Sequence, residues 1–141
     1  MSALHQEAVI HCSIVNQEKR LDFLPYHLGD WAMKFESETF SWADSLCLNY
    51  SGGYWEFYSL NNGGFFMAPD MKYDVEIFVS GNGFSGKLSG EVAGIITTLF
   101  ALSSLAFDYY EVNDIFSIKY HQLRDYAKVH PESIDIFSAI D

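Results

Sequence analysis

Three groupings in this chain combine residue types and spacings that could do chemistry. The first is Gly81-Asn82-Gly83-Phe84-Ser85-Gly86-Lys87, which fits GxGxxG and also the first seven positions of the GxxxxGK[ST] phosphate loop. Both patterns work only where the glycines run straight into a helix whose free N–H groups hold phosphate. Here Phe84 to Leu88 reads as a strand, Leu88 stands where a magnesium-binding hydroxyl is required, and no βαβ pattern surrounds the loop. The segment is therefore a hairpin turn, and no nucleotide cofactor is expected. The second grouping is His121 and Asp125, four apart on one helix face. No third ligand is near in sequence, and Arg124 and Lys128 flank the pair, so a solvated charged face is expected rather than a metal site. The third is Cys12 and Cys47, far apart, with no CxxC and no Cys/His cluster, which reads as two reduced thiols. With no nucleophile elbow and no HExxH, nothing in the residues supports an enzyme. No catalytic residue, metal or cofactor is assigned.

The rest of the chain limits what can position such groups. Its 141 residues suit one domain with a proper core, and 49% hydrophobic with 17% aromatic residues is unlike a disordered chain. Nineteen acidic and eight basic residues give a net charge of −11. That balance argues against binding nucleic acid through its phosphates and leaves open basic protein partners or imitation of DNA. The opening MSALHQEAVIHCSIV has no basic n-region and is interrupted by His11 and Ser13, so it does not read as a signal peptide. Val92 to Phe107 is uncharged but carries Thr97, Thr98, Ser103 and Ser104. It falls short of the about 20 apolar residues of a membrane span and reads as a buried helix, with no membrane association.

The elements follow from periodicity. Residues 1–19 form an N-terminal arm or edge strand, with Ala8 to Val15 as its extended part, and residues 20–141 form a single domain. Leu21 to Gly29 is a short helical turn stopped by Gly29. Phe40, Ala43, Leu46, Cys47 and Tyr50 recur at helical spacing, which predicts a helix over 39–50 ended by Gly52 and Gly53. Tyr54–Leu60 is a strand, Asn61-Asn62-Gly63-Gly64 a tight turn, and Phe65–Ala68 its partner, closed by Pro69. Tyr73, Val75, Ile77 and Val79 alternate with Asp74, Glu76, Phe78 and Ser80, and Phe84–Leu88 makes a fourth strand. Ser89 caps a helix through about Phe107, where Gly90, Gly94, Thr97 and Ala101 form a stripe for close packing on the sheet. Asp114 caps a helix over 115–129, His130 breaks it, and Pro131 opens a last helix ending near Ala139. The fold class is α+β: an antiparallel four-stranded β-meander with an N-terminal helix and C-terminal helices packed around it.

Strand alternation also proposes a surface. Trp55 and Phe57 belong with Val75, Ile77 and Val79 under the long helix, leaving Tyr54, Glu56, Tyr58, Asp74, Glu76 and Phe78 on the opposite, more exposed face. Aromatic residues mixed with carboxylates suit protein binding, unless the C-terminal helices or the N-terminal arm cover that face. At the chain's end, Asp135 and Asp141 bracket Ile136, Phe137 and Ile140, a helix able to dock its apolar side while Asp141 stays wet.

Several stretches together resemble the ArdB/KlcA family of antirestriction proteins: SGGYWEFYSLNNGGFFMAP, SGNGFSGKLSGEVAGIITTLFAL, YHQLRDYAKVHPESIDIFSAID, and the earlier RLDFLPYHLG and DSLCLNYSGG. The likeness covers about residues 20–141 in order and leaves 1–19 outside. It implies a bacterial, cytoplasmic protein carried by plasmids and other mobile elements, which protects incoming DNA from host type I restriction. It also implies a small α+β domain with an antiparallel sheet, and it supplies no catalytic residue and no cofactor.

Two mechanisms are compatible with such a role. An acidic DNA mimic, binding the DNA site of a restriction–modification enzyme, needs dense rows of carboxylates, because B-DNA carries one charge per about 1.7 Å of axis. Here the acids are spread thinly, at Glu36 and Glu38, Asp70 and Asp74, Asp108, Glu111 and Asp114, with basic residues among them. The favoured expectation is a protein-interaction module that acts on the type I restriction–modification complex or an associated host factor, without binding nucleic acid directly.

Overall fold

The computed structural model describes residues 9–141, in the order β1 (Cys12–Ile14), α1 (Arg20–Leu28), α2 (Ala32–Leu46), β2 (Trp55–Leu60), β3 (Phe65–Pro69), β4 (Val75–Val79), β5 (Phe84–Leu88), α3 (Gly90–Tyr109), α4 (Ile115–Val129) and α5 (Ser133–Ile140). One-turn 3-10 segments at Gln17–Lys19 and Gly29–Trp31 lead into α1 and α2. The fold is α+β with antiparallel strands. Of the expected N-terminal arm, residues 1–8 lie outside the described residues. Residues 12–14 take the edge-strand form, pairing antiparallel with β2 in the register Cys12↔Leu60 and Ile14↔Tyr58.

The single four-stranded meander expected from the sequence does not form. The strands divide into a three-stranded sheet, β1-β2-β3, and a separate two-stranded β4-β5 hairpin. The reason lies on the far edge of β3. In the β2-β3 ladder the Gly64 carbonyl and the Asp70 N–H bond across to β2, so by antiparallel alternation Met67 turns its N–H and C=O away from β2. Both groups meet the side-chain hydroxyl of Thr98 in α3, each at 3.2 Å. The helix can come this close because a Cβ on Gly94 would stand 2.3 Å from the Cβ of Ala68, and one on Gly90 would stand 2.6 Å from the Pro69 carbonyl oxygen. Helix α3 therefore occupies the place a fourth strand would have taken. The close-packing stripe is Gly90, Gly94 and Thr98, whereas Thr97 bonds back to the Ala93 carbonyl at 2.7 Å.

Displaced from β3, β4 finds its other partner at the end of α2. The expected helix over 39–50 runs instead from Ala32 to Leu46, and Cys47 turns extended (φ −100°, ψ 103°) to bridge Ile77. Leu48 then donates its N–H to the Glu76 carbonyl at 2.8 Å. Gly52 and Gly53, at φ +96° and +115°, redirect the chain into β2 rather than ending the helix. Gly29 does stop α1, at φ +56°. The Ser89 hydroxyl caps α3 by accepting from the Val92 N–H at 3.2 Å. At the start of α4 the Ile115 N–H donates to the side-chain oxygen of Asn113, and Asp114 makes no side-chain cap bond. His130 is extended, as its place before proline predicts. The last helix begins at Ser133, two residues after Pro131, and runs to Ile140.

Helix α3 is long and apolar enough to cross a bilayer by length and composition, but most of it is core. Eleven of its residues, from Val92 to Leu105, are buried, and it packs against β3, α2, α4 and α5. Gly94→Ala should therefore overpack the β3 contact and cost about 1–3 kcal/mol. Thr98→Val should cost about the same by leaving both Met67 groups unpaired. Gly81→Ala, with open space at its Cβ position, should stay within about 0.5 kcal/mol of the parent. Urea denaturation of the three variants checks the ranking, and equal midpoints for Gly94→Ala and Gly81→Ala would contradict the edge contact.

Candidate functional site

The two halves of the strand alternation fare differently. Trp55, Phe57, Val75, Ile77 and Val79 are all buried, as expected. The complementary six are not brought onto one face, because β2 and β4 belong to different sheets. Just before β2, Tyr54 is exposed and carries the Arg20 guanidinium 4.5 Å above its ring, and Glu56 on β2 pairs with the same Arg20 at 3.6 Å. Tyr58 is half-covered. Its ring stacks on Phe66 at 4.6 Å, and Phe66 stacks in turn on Tyr126 of α4. Burial, with Glu91 nearby, pushes the Tyr58 phenol above its ordinary range. The C-terminal helices and β1 thus cover part of the β2 face.

On and just before β4, Asp74, Glu76 and Phe78 are exposed, with Tyr73 next to Asp74 in the chain. Asn49 holds the strand start by donating to the Asp74 carbonyl and accepting from the Glu76 N–H, each at 3.0 Å. Glu76 stands opposite Lys87 and Phe78 opposite Ser85. The glycine-rich segment is the turn of this hairpin, with Gly83 at φ +77°. Its Asn82 side-chain amide caps the last helix, donating to the Ala139 carbonyl at 2.9 Å and to that of Ser138 at 3.3 Å. In that helix Ile136 and Ala139 are fully buried, Phe137 lies under the Arg124 guanidinium, Asp135 is half-buried and Asp141 is exposed.

Of the other groupings, His121 is exposed and Asp125 pairs with Lys128 at 3.6 Å, a solvated charged face. Among the described residues no group of three His, Cys, Asp or Glu stands close enough to hold a metal. Both thiols are free. Burial raises Cys47 to about 11 and also raises Cys12, which faces the Tyr126 hydroxyl.

One feature was not anticipated. A cleft of about 770 Å³ lies between α1 and the β1 side of the three-stranded sheet, lined by Ser13, Ile14, Asp22, Tyr26, His27 and Lys119 among others. His27 is 8% exposed, with its ring 4.7 Å from those of Phe23 and Phe65. Its Nδ1 has no hydrogen-bond partner among the described residues. Desolvation, with Lys119 nearby, lowers its pKa to about 4, so the imidazole is neutral at pH 7. Lys119 reaches in from α4 and donates to the Gly63 carbonyl at 2.8 Å. The burial of His27, though not the cleft beside it, has a signal in the sequence, because Phe23, Leu24, His27 and Leu28 share one stripe of α1.

Fold and surfaces together define a small, acidic α+β domain organised around one buried helix. The family model for antirestriction proteins matches residues 48–141. Antirestriction protein KlcA of Escherichia coli is 43% identical over 139 residues, covering 96% of this chain and 98% of the relative. The protein YafX of Escherichia coli K12 is 39% identical, covering 90% and 85% respectively. A solved structure matches with a TM-score of 0.88 at 43% identity, covering 96% of this chain and 98% of that one. It is described as showing, for the KlcA and ArdB proteins, a novel fold and antirestriction activity against type I DNA restriction systems in vivo but not in vitro. This chain belongs to the antirestriction protein family.

The buried imidazole makes a pH prediction. Its folded pKa lies below the ordinary 6.5, so between pH 6.5 and about 4 the unfolded chain binds the extra proton. The stability that depends on neutral His27 is complete above pH 6.5 and is lost as the pH falls toward 4. His27→Phe removes that loss. Urea unfolding should show the variant gaining on the parent from pH 6.5 down to 4.5, with a constant difference above pH 7. A difference independent of pH across both ranges would contradict the neutral, buried imidazole.

Proposed function

We propose that this protein relieves type I restriction of incoming DNA by contact with a protein, either the type I restriction–modification complex or a host factor it depends on, in the bacterial cytoplasm. The observation that carries this reading is the likeness to KlcA along nearly the whole chain, at 43% identity and a TM-score of 0.88. The solved relative acts in vivo but not in vitro. That behaviour fits a mechanism needing a cellular component and fits neither a self-sufficient enzyme nor a simple competitor for the DNA site.

Charge geometry also weighs against mimicry. The acids do not form an unbroken row: Glu56 is paired with Arg20, Asp125 with Lys128, and Glu91 contacts His130 at 2.9 Å. A duplex imitation requires one free charge per about 1.7 Å of axis. The better contact surface is the hairpin patch of Tyr73, Asp74, Glu76 and Phe78, where exposed aromatic area sits among carboxylates. On this reading Asp135, on the helix anchored to the turn of the same hairpin, and Asp141, just past its end, extend that surface. Tyr54 and Glu56 contribute through their contacts with Arg20, and Tyr58 chiefly holds the fold.

Expression of this protein in a type I restricting host should raise the plating efficiency of unmodified phage. Unchanged plating at good soluble expression would remove the assignment. Glu76→Lys combined with Phe78→Ala should abolish that protection and leave the melting temperature within a few degrees of the parent. Full activity in the folded double variant would rule out the hairpin patch. Deleting Asp141 alone, which leaves Ala139 seated, should weaken protection without unfolding the last helix.

A further inference from the structure

We propose that the cleft between α1 and β1 is a peptide-binding site that takes an extended segment of a partner protein carrying a carboxylate among apolar side chains. The site is on the three-stranded sheet, apart from the β4-β5 hairpin, and the proposal does not depend on the antirestriction reading.

Three observations converge on that ligand. The first is the unused polarity of the wall. His27 is more than nine-tenths buried, with Nδ1 buried and without a partner among the described residues, while the residue lines the cleft. A buried lone pair left unpaired costs less than a buried N–H left unpaired. That favours the tautomer with the proton on Nε2, and on this proposal Nε2–H is the donor the ring offers to an acceptor in the cleft.

The second is local charge. On a chain of net charge −11, the cleft wall carries two ammonium groups, Lys19 and Lys119, against one carboxylate, Asp22. Lys119 spends one donor on the Gly63 carbonyl and has two left. A carboxylate is repelled by most of this surface and attracted here.

The third is the strand that forms one lip. Val15 donates to the Phe57 carbonyl and Asn61 to that of His11. By antiparallel alternation, Cys12 and Ile14 therefore turn their N–H and C=O groups away from β2. An extended peptide pairs with such an edge, and its alternate side chains reach a neighbouring cleft. Tyr26, exposed on α1, and Phe23 below it supply the apolar wall. A volume of about 770 Å³ is in the range of sites that take small ligands and short peptide stretches.

The test uses a random seven-residue peptide library displayed on phage and panned on the full chain. Enriched peptides should alternate apolar residues with an Asp or Glu. Synthetic copies should bind saturably and shift the amide resonances of Ser13–Asn16 and Ser59–Gly63. Lys119→Met should weaken them at least tenfold, and His27→Phe should do the same while keeping or raising the melting temperature. If His27→Phe does not fold, Lys119→Met decides alone. No enrichment, enrichment of peptides without acids, or shifts confined to other residues would overturn the proposal. So would sodium benzoate shifting the same resonances as tightly as the peptides, which would make the cleft a site for small carboxylates.

Discussion

The structure depends on one contact, the meeting of α3 with the open edge of β3. A strand edge left bare in a protein interior strands its N–H and C=O groups at a cost of about 1–3 kcal/mol each. Here a single threonine hydroxyl, on Thr98, answers both groups of Met67. Two glycines one and two turns before it, Gly94 and Gly90, remove the side chains that would hold the helix off. Sheet growth stops at β3 for that reason, and the long apolar helix α3 becomes the core rather than a surface element.

Everything later in the chain follows from that stop. Barred from β3, the β4-β5 hairpin stands as its own small sheet, fastened at one side by Leu48 and Asn49 and at its turn by Asn82. A two-stranded hairpin is marginal alone in water. These anchors, with Val75, Ile77 and Val79 turned into the core, let it hold a fixed shape while Asp74, Glu76 and Phe78 stay in solvent. The glycine-rich run that imitates a phosphate loop has a structural task instead, which is to let Asn82 reach the carbonyls of the last helix.

Much of this was legible in the sequence. Period-2 alternation in β4, the Asn-Asn-Gly-Gly turn and the Ser89 cap each express a local preference, and local preferences survive folding. Three features were not legible, for a shared reason. The end of α2 at Leu46 is decided by a carbonyl on Glu76, about 30 residues away in sequence. The division of the sheet is decided by Thr98, on an element that had read as packing across the sheet rather than along its edge. The cleft depends on α1 and β1 crossing with Lys119 reaching over from α4. The face pairing Tyr54 and Glu56 with Glu76 and Phe78 rests on alternation alone, and alternation assigns a side within one sheet without saying whether two strands share it.

Charge completes the link from structure to role. Several of the scarce cations are committed internally. Arg20 bonds the Trp55 carbonyl and covers the rings of Tyr54 and Phe57, Lys34 lies over Tyr109, and Arg124 over Phe137. Cations held against aromatic faces contribute to cohesion and project less toward a partner. The field felt at a distance is therefore that of an acid-rich surface, which repels nucleic acid and anionic proteins and draws basic ones, until screening cuts it off beyond about 8–10 Å. Inside that range the two candidate surfaces select differently. The hairpin offers carboxylates and aromatic area to a basic partner, while the cleft, lined by Lys19 and Lys119, admits an acid only after close approach. A ligand of the cleft must then be held by shape and hydrogen bonds, because long-range attraction does not bring it there.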